Sequence, residues 1–490
     1  MTDTLLIELR TEELPPKALN QLGECLAAAV VEGLEKAQLV TSPAKYSVFA
    51  SPRRLAMLVP HVKAVQADQQ VIKKGPSVVA GMKEGVPTKA LQGFARANHV
   101  DVAALTQIDD GKQMVFAYEY TQAGQPLAAL LSDILAQAVK KLPIPKVMHW
   151  GSSTHTFVRP VHGLVMVHGN TVVPGEVLGL TSQNWTLGHR FLSHGQIVLA
   201  NADDYPRQMA EEGKVIASFA SRRALIAREL DKNATALQAT VAADDALLDE
   251  VTALVEWPVV LQAGFESHFL RVPQECLILT MQQNQKYFPL LDTEGKLMNR
   301  FLLVSNLQTA DPSHIIHGNE RVLRARLSDA AFFFKQDQKA SLASRLPKLM
   351  HVVYHNKLGS QAERVSRLMQ LTQGIAQALG ANVTKAVRAA ELAKADLLTE
   401  MVGEFPELQG TMGKYYALHD GEDAEVARAI EQHYQPRFAG DALPDDPIGT
   451  AVPWLISWKL WWGFGALVWC PLGIKILTLC VVPRWVYCVC

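Results

Sequence analysis

The residues in this sequence best suited to chemistry are cations able to bind phosphate. In the segment H-G-N-E-R-V-L-R-A-R-L-S-D-A-A-F-F-F-K, Arg321, Arg324 and Lys335 recur along one side of a helix predicted from residue 319. Arginine offers planar, paired donors to phosphate oxygens. The alternative is a solvated helix side whose cations pair with their own acidic neighbours, Glu320 and Asp329. Periodicity leaves both interpretations open.

Two more arginines stand at a predicted turn. Arg53 and Arg54 follow Ser51-Pro52 and lie between two short strand-like runs. Proline presets the backbone of a tight turn. We expect either a phosphate contact or a solvated turn at these two side chains.

Histidines raise the question of a metal site. His149, His155 and His162 lie close in sequence, but no carboxylate or cysteine stands at a chelating offset, so structural histidines are expected. His419-Asp420 is the dipeptide of metal-dependent phosphohydrolases, although one dipeptide is a weak signal. We therefore predict no catalytic residue and no metal ligand in this chain.

Hydrophobic periodicity predicts the elements that carry these residues. A strand over 5–9 precedes a helix that is expected to bury Leu19, Leu22, Leu26, Val30 and Leu34. Helical patterns return at 127–142 and over 203–254, where Arg222, Arg223 and Arg228 are expected to be exposed. The helix from residue 319 is expected to bury Leu323, Leu327, Ala330, Ala331 and Phe334.

The length and net charge of the chain indicate its number of domains and the class of its partners. Its 490 residues suggest roughly three domains. We predict an α+β fold with borders at 1–145 (α+β), 146–340 (α+β) and 341–452 (all-α), followed by a distinct tail, 453–490. In the all-α region Asp396 and Glu400 are expected on one helix face, where like charges repel. The net charge of -1 gives no global attraction to nucleic acid, and without a signal sequence we expect a cytoplasmic protein that does not enter a membrane.

The tail has a different composition. Residues 453–490 contain no Asp or Glu, six of the nine Trp, and Cys470, Cys480, Cys488 and Cys490. A membrane span needs about 20 uninterrupted apolar residues, which Lys and Pro residues here break up. A metal site would need two ligand pairs. The third interpretation is that this segment is not evolved sequence.

Several collinear motifs carry a resemblance. They are L-L-I-E-L-R-T-E-E-L-P-P-K-A-L at 5–19, A-S-P-R-R-L-A at 50–56, G-V-P-T-K-A at 85–90, T-L-G-H-R-F at 186–191, the stretch 255–335, and E-M-V-G-E-F-P-E-L-Q-G-T-M-G at 400–413. In number and order they resemble the β subunits of bacterial heterotetrameric glycyl-tRNA synthetases, over residues 1 to about 452.

The resemblance implies a function. It implies charging of tRNA(Gly) with glycine, using ATP and Mg²⁺, in an α2β2 enzyme whose separate α subunit holds the adenylation site. The β subunit would bind tRNA and assemble the enzyme, with no cofactor assigned to it. Candidate tRNA contacts are Arg53, Arg54, Arg321, Arg324 and Lys335. The resemblance also implies an editing-module-like (B3/B4-like) region at 146–340 and an HD-like helical domain at 341–452. The alternatives are an HD-type metal-dependent phosphohydrolase and a free-standing RNA-binding protein.

The tail departs from the family pattern. The family continues with an alanine-rich helix and an anticodon-binding domain, which we expect to be missing here. With allowed codons, P-W-L-I-S-W-K-L-W-W-G can be reread two bases later as L-A-D-K-L-E-T-L-V-G, and the same shift turns residues 471–477 into T-G-D-K-D-P. We therefore expect the tail to be a frameshift product and the helical domain to be incomplete. An intact single reading frame near codon 452 would refute this.

Overall fold

The computed structural model describes residues 2–83, 85–438 and 440–452. Unit 1 comprises the described residues up to 232 together with 244–261 and 304–312. Unit 2 comprises 233–243, 262–303 and the described residues from 313 onward. The tail, and the frameshift predicted for it, lie outside the described residues. Helices and strands are mixed along the chain, which confirms the predicted α+β class.

Unit 1 holds most of the short strands. They are β1 (Thr2–Thr11), β2 (Ser47–Ser51), β3 (Arg54–Lys63), β4 (Gln69–Ser77), β5 (Met82–Lys83), β6 (Val86–Pro87), β7 (Thr106–Asp109), β8 (Met114–Gln122), β9 (Met148–His149), β10 (Thr156–Phe157), β11 (Val161–His168), β12 (Thr171–Val172), β13 (Glu176–Val177), β14 (Leu180–Thr181), β15 (Trp185–Leu187) and β16 (Gln196–Val198). Its helices, including most of α6, are α1 (Leu19–Lys36), α2 (Val78–Gly81), α3 (Lys89–Ala97), α4 (Leu127–Lys140), α5 (Tyr205–Glu211), α6 (Phe219–Ala236) and α7 (Asp245–Thr252).

The main sheet of unit 1 has the order β12-β11-β1-β3-β2 and is antiparallel. Alternation along β1 sends Leu5, Ile7 and Leu9 into the core that also holds the buried faces of α1 and α4. Leu6 points to the other face, into a second core with Tyr205. Glu8 lies on the same face as Leu6 and is buried. A carboxylate there requires hydrogen-bond partners, and these partners form part of the site described below.

Several predicted elements of unit 1 are confirmed. The helix α1 buries the five predicted positions, Leu19, Leu22, Leu26, Val30 and Leu34. The strands β2 and β3 form a hairpin in which Ser51 pairs with Arg54, so Pro52 and Arg53 make its turn. The border predicted at 145/146 stays a prediction, and β11, which follows it, pairs with β1 in one sheet.

The expected exposure of Arg222 is wrong. Its side chain, on α6, is fully buried and donates to the carbonyl oxygens of Ile216 (2.7 Å), Ala50 (2.8 Å) and Thr252 (3.0 Å). The guanidinium therefore satisfies acceptors from three segments that are distant in sequence. Periodicity identifies a polar residue on a helix but carries no information about such acceptors.

Unit 2 combines a small sheet with most of the helices. Its strands are β17 (Thr240–Val241), β18 (Val259–Gly264), β19 (Phe288–Leu291), β20 (Leu297–Ser305), β21 (Val353–His355) and β22 (Gly359–Ser360), of which β18 and β20 each have residues in both units. Its helices are α8 (Gln274–Leu279), α9 (Ser313–Asp337), α10 (Leu342–Arg345), α11 (Gln361–Ala378), α12 (Val383–Leu392), α13 (Glu400–Glu404), α14 (Thr411–His419), α15 (Ala424–Gln432) and α16 (Pro447–Ala451). The four-stranded sheet has the order β17-β19-β20-β18.

The long helix α9 begins at Ser313, six residues before the predicted start. It buries Leu323, Leu327 and Ala330 as predicted, while Ala331 and Phe334 are half-buried. Phe334 stacks on Tyr416, with ring centroids 5.7 Å apart. The apolar stripe therefore fixes which side of α9 remains for solvent or a ligand.

Two expectations for the helical region need correction. It is not all-α, because β21 and β22 form a hairpin. Gly359 begins β22, and its φ of 89° suits glycine. Asp396 and Glu400 do not share a helix face either. Thr399 is extended and caps a new helix by accepting from the Val402 N–H, so α13 starts afresh after the 3-10 turn that holds Asp396. The predicted repulsion along one helix is thereby avoided.

In the part of the chain that the structure describes, no helix is long and apolar enough to cross a bilayer.

Candidate functional site

Three segments of unit 1 meet around one cavity of about 260 Å³. The end of β1 contributes one arginine, the β2–β3 turn a second and the start of β3 a third. The end of β15 and the loop after it contribute the rest of the wall. We call this cavity the arginine pocket. It is lined by Arg10, Arg53, Arg54, Leu187, Gly188, His189, Arg190, Ser193 and Gly195.

Strand register brings the first three arginines together. Arg10 on β1 lies directly opposite Arg54 on β3. The turn is held against the chain that follows β1, because the Thr11 N–H donates to the Arg53 carbonyl at 2.8 Å and the Leu14 N–H donates to the Pro52 carbonyl at 2.7 Å. Like charges directly opposite each other in a sheet are unfavourable. This arrangement therefore needs compensating anions.

Buried carboxylates compensate the charge of Arg54. It is 1% exposed, with Nη1 3.2 Å from Glu8 Oε2 and Nη2 3.6 Å from Glu256 Oε1. Its Nη2 also donates to the Leu187 carbonyl at 3.0 Å. Burial alone would lower the pKa of Arg54, but the two carboxylates outweigh it and raise that pKa. Arg54 is therefore a permanent cation at the base of the pocket.

Glu8 is the centre of this buried network. Besides Arg54, it accepts hydrogen bonds from the hydroxyls of Thr186 and Tyr205, the latter at 2.5 Å. Burial and the Glu8 charge raise the pKa of Tyr205 well above its usual value, so its hydroxyl remains a donor. Both oxygens of Glu8 thus accept hydrogen bonds, as burial of a carboxylate requires.

The loop after β15 positions a histidine donor. Gly188 passes so close to Gly213 that a Cβ at position 188 would collide with the Gly213 carbonyl oxygen. His189 then donates its N–H to that carbonyl at 2.7 Å. Its ring Nδ1 accepts from the backbone N–H groups of Phe191 and Leu192, each at 3.2 Å. An accepting Nδ1 in a neutral ring places the proton on Nε2, so Nε2 is a donor.

Exposed charges stand at the rim. Glu12 lies 3.1 Å from His162 Nε2, 3.6 Å from Arg190 Nη2 and 3.8 Å from Arg53 Nη2. Burial is the largest single influence on Glu12 and would raise its pKa, but Arg53, His162 and Arg190 together outweigh it and lower that pKa. Glu12 therefore acts as an internal anion for cations that also line the pocket.

The wall contains donors without acceptors. Arg10 Nε, Arg53 Nε, Arg54 Nε and His189 Nε2 are buried atoms with no hydrogen-bond partner, although Arg53 Nε lies 3.7 Å from Glu13 Oε1 in an ion pair. Buried polar groups are nearly always paired in folded proteins. The chemistry that this wall supports is the binding of a group rich in oxygen acceptors.

The predicted basic stripe lies on α9, in unit 2. Arg324 Nε is 2.5 Å from Glu266 Oε1, and both side chains are about half exposed. Glu320, one of the expected local partners, instead accepts from the Gly264 N–H at 2.9 Å. Arg321 and Lys335 are exposed and make no ion pair with any residue that the structure describes.

A family model described as "Glycyl-tRNA synthetase beta subunit" matches residues 5–457. The chain belongs to the glycyl-tRNA synthetase β-subunit family. Two relatives named "Glycine--tRNA ligase beta subunit" are similar to it, at 71% identity over 452 residues in Neisseria meningitidis serogroup C (strain 053442) and at 70% over 451 residues in Neisseria gonorrhoeae (strain NCCP11945). Each match covers 92% of this chain and 66% of the relative. A relative of the same name from Aromatoleum aromaticum is 54% identical over 455 residues, covering 65% of its own length. The chain thus spans about two thirds of the length of these family members.

The arginine pocket is built from motifs by which the β-subunit family was recognised. E-L-R-T-E-E supplies Arg10, S-P-R-R supplies Arg53 and Arg54, and T-L-G-H-R-F supplies His189 and Arg190. Sequence reasoning selected Arg53 and Arg54 but missed the other three. Their motifs were visible in the sequence, whereas their convergence depends on the β1–β3 register and the Gly188–Gly213 approach.

The histidines raised as metal candidates have other surroundings. His162 faces Glu12, as described above, and His149 lies on β9 opposite Thr156 of β10. The Nδ1 of His419 is 3.7 Å from Asp420 Oδ1, while Asp420 Oδ2 accepts from the Leu342 N–H at 2.7 Å. Within residues 2–83, 85–438 and 440–452, no group of three or more His, Cys, Asp or Glu side chains is arranged to hold a metal ion.

Proposed function

We propose that this chain acts in glycine--tRNA ligase as the β subunit. In this reaction ATP, glycine and tRNA(Gly) give glycyl-tRNA(Gly), AMP and diphosphate. The supporting observation is 71% identity over 452 residues to relatives that carry this name. The chain spans 66% of the length of those relatives, so this proposal concerns the part that the chain contributes.

That part is tRNA binding and assembly of the enzyme. The α subunit, in an α2β2 heterotetramer, holds the site where glycine is activated with ATP and Mg²⁺. No residue of this chain is assigned to catalysis or to a cofactor. The enzyme works in the cytoplasm, where its tRNA substrate is found.

Within unit 2, α9 offers a surface that suits tRNA. Arg321, Ser328, Phe332 and Lys335 follow one another at i, i+7, i+11 and i+14, which places them on one side of the helix. Phe332 is 61% exposed. Cations that neutralise phosphates combined with an aromatic ring that can stack on a base are typical of nucleic-acid surfaces. Arg324 lies beside this row and would have to leave Glu266 to reach a phosphate.

In unit 1, Arg53 and Arg54 remain tRNA-contact candidates of a different kind. Arg54 is committed through both Nη atoms to internal partners, and only its Nε lacks one. Arg53 is less buried and lies at the turn. Any RNA contact here must therefore enter the arginine pocket.

The fold is proposed to follow the family resemblance. Residues 146–340 would form the editing-module-like region and residues 341–452 the HD-like helical region. The helices α10 to α16 account for most of the latter. The metal chemistry of HD enzymes is not part of this proposal.

Glycylation measured in three mixtures tests the proposed function. The chain, an α subunit from the same organism, and the two together are each assayed with tRNA(Gly), glycine, ATP and Mg²⁺, and complex formation is followed by co-purification. We expect the chain to co-purify with the α subunit and to raise charging above that of the α subunit alone. Charging by this chain alone would overturn the assignment of the active site to the α subunit. A chain that binds RNA but never associates with the α subunit would instead be a free-standing RNA-binding protein.

A further inference from the structure

The arginine pocket of unit 1 has an excess of buried donors. Two of its unpaired donors belong to side chains that are almost fully buried, His189 at 2% exposure and Arg54 at 1%. The hydrogen bonds that His189 Nδ1 accepts orient its ring and leave Nε2–H as the free donor of a pocket-lining residue. A polar group buried without a partner is unfavourable unless a ligand or water completes it. The pocket therefore requires acceptor atoms that unit 1 does not itself supply.

The charges in the wall specify the sign of the missing group. Four of the lining residues are arginines and none is acidic. Glu8 and Glu256 compensate Arg54 from the buried side, whereas Arg10, directly opposite Arg54, has no ion pair with a carboxylate among the described residues. Two like charges facing each other on a sheet are stabilised when an anion lies between them. The missing group is therefore an anion.

The size of the cavity and the number of its donors indicate which kind of anion fits. The cavity of about 260 Å³ falls just below the roughly 300–1,000 Å³ of pockets for drug-sized ligands. Four N–H donors on residues that line one small cavity suit a phosphate group, whose non-bridging oxygens each accept more than one hydrogen bond. Guanidinium groups match phosphate oxygens in charge and planarity.

The geometry points to a binding site for one phosphate group in the arginine pocket, held by Arg10, Arg53, Arg54 and His189. Glu12 at the rim competes with it, because it binds Arg53 and Arg190 when the phosphate is absent. The ligand is either a phosphate of an RNA chain or a free phosphate compound. This inference goes beyond the proposed function, since it rests on the pocket alone and not on the identity of the RNA or of the α subunit.

Equilibrium dialysis of the full chain against labelled inorganic phosphate tests the site. The unaltered chain is expected to bind one phosphate saturably. His189→Asn removes the Nε2–H donor, while the asparagine oxygen can still accept from the backbone N–H groups of the turn. Because a hydrogen bond to a charged group is lost, binding should weaken roughly ten-fold or more. The matched control His99→Asn, at an exposed histidine far along the chain from the pocket residues, should bind as the unaltered chain does.

A variant that is expected to bind phosphate more tightly separates loss of the site from misfolding. Glu12→Gln removes the competing charge and should bind phosphate several-fold more tightly, a gain that a damaged fold would not give. The site is overturned if the unaltered chain shows no saturable binding, if the two histidine variants bind alike, or if Glu12→Gln fails to tighten binding.

Competition identifies the source of the phosphate. If RNA supplies it, inorganic phosphate displaces tRNA from the chain and His189→Asn weakens both ligands together. If a free phosphate compound supplies it, tRNA binding is insensitive to His189→Asn while phosphate binding still depends on it. Either outcome supports the site. A failed glycylation assay with intact phosphate binding would count against the proposed function alone. Successful glycylation without phosphate binding would count against this site alone.

Discussion

Replacing Tyr205 by phenylalanine removes one hydroxyl from the buried network around Glu8. The Tyr205 side chain is fully buried, and its hydroxyl donates to Glu8 Oε2 at 2.5 Å. Its ring meets Phe49 edge-on with centroids 5.4 Å apart, a contact that phenylalanine retains. The variant thus isolates one hydrogen bond to a buried carboxylate. Such a bond contributes about 1.5–3 kcal/mol, so unit 1 should lose about that much stability.

Hydrogen exchange read by mass spectrometry suits this test, because a chain with two compact units does not guarantee a single unfolding transition. Exchange of peptides from β1 and β3 reports the free energy of opening where Glu8 and Arg54 lie. A loss of about 1.5–3 kcal/mol corresponds to roughly ten- to a hundred-fold faster exchange. Tyr46→Phe, at an exposed tyrosine, is the matched control and should leave exchange unchanged. Equal protection in the two variants would refute the role assigned to the Tyr205–Glu8 bond.

Three more perturbations probe other parts of the chain. Arg222→Lys keeps the charge but loses the planar guanidinium that reaches several backbone carbonyls. Chemical denaturation should therefore show a free energy of unfolding lower by roughly 2 kcal/mol or more, and an unchanged free energy of unfolding would contradict that role. The double change Arg321→Ala with Lys335→Ala should weaken tRNA binding and make its salt dependence shallower by roughly two in log–log slope. The control Arg207→Ala removes a cation that already pairs with acidic neighbours and should change neither quantity. Equal effects of the two changes would favour a solvated face on α9. Burial lowers the pKa of Lys394 from 10.5 to about 7, so between these two pH values the unfolded chain binds more protons and the Lys394 contribution to stability rises with pH. Lys394→Met should flatten this rise in the free energy of unfolding over that window, and an unaltered pH profile would argue against it.

Sequence periodicity predicted the parts of the fold that depend on neighbours along the chain. The buried faces of α1 and α9 follow from apolar residues at helical spacing, and the β2–β3 turn follows from Ser51-Pro52. The start of α9 was placed six residues late. Ile316 continues the apolar spacing of Leu323 and Leu327, but Gly318 between them is a weak helix former and hid that continuity. The helix break before Glu400 depends on Thr399 acting as a cap, a local signal that the charge pattern obscured.

The arginine pocket could not be assembled in this way. Arg54 and Glu8 are 46 residues apart, and Tyr205 and Glu8 are 197 apart. A lone Glu among Leu residues indicates a buried carboxylate but not its partners. Arg53 and Arg54 were selected for their charge, while His189 acquires its significance from two backbone N–H groups and a glycine contact. Such sites depend on strand register between distant segments and on close backbone contacts, and the local sequence pattern predicts neither.

Association with the α subunit and tRNA(Gly) is the most direct test of the chain's role. The chain, the α subunit and their mixture are each titrated with tRNA(Gly) at several salt concentrations, and complexes are separated by size. We predict that the chain and the α subunit elute together, and that this assembly binds tRNA(Gly) more tightly than the α subunit alone, with affinity that falls as salt rises. Separate elution of the two chains, or equal tRNA affinity with and without this chain, would contradict the account.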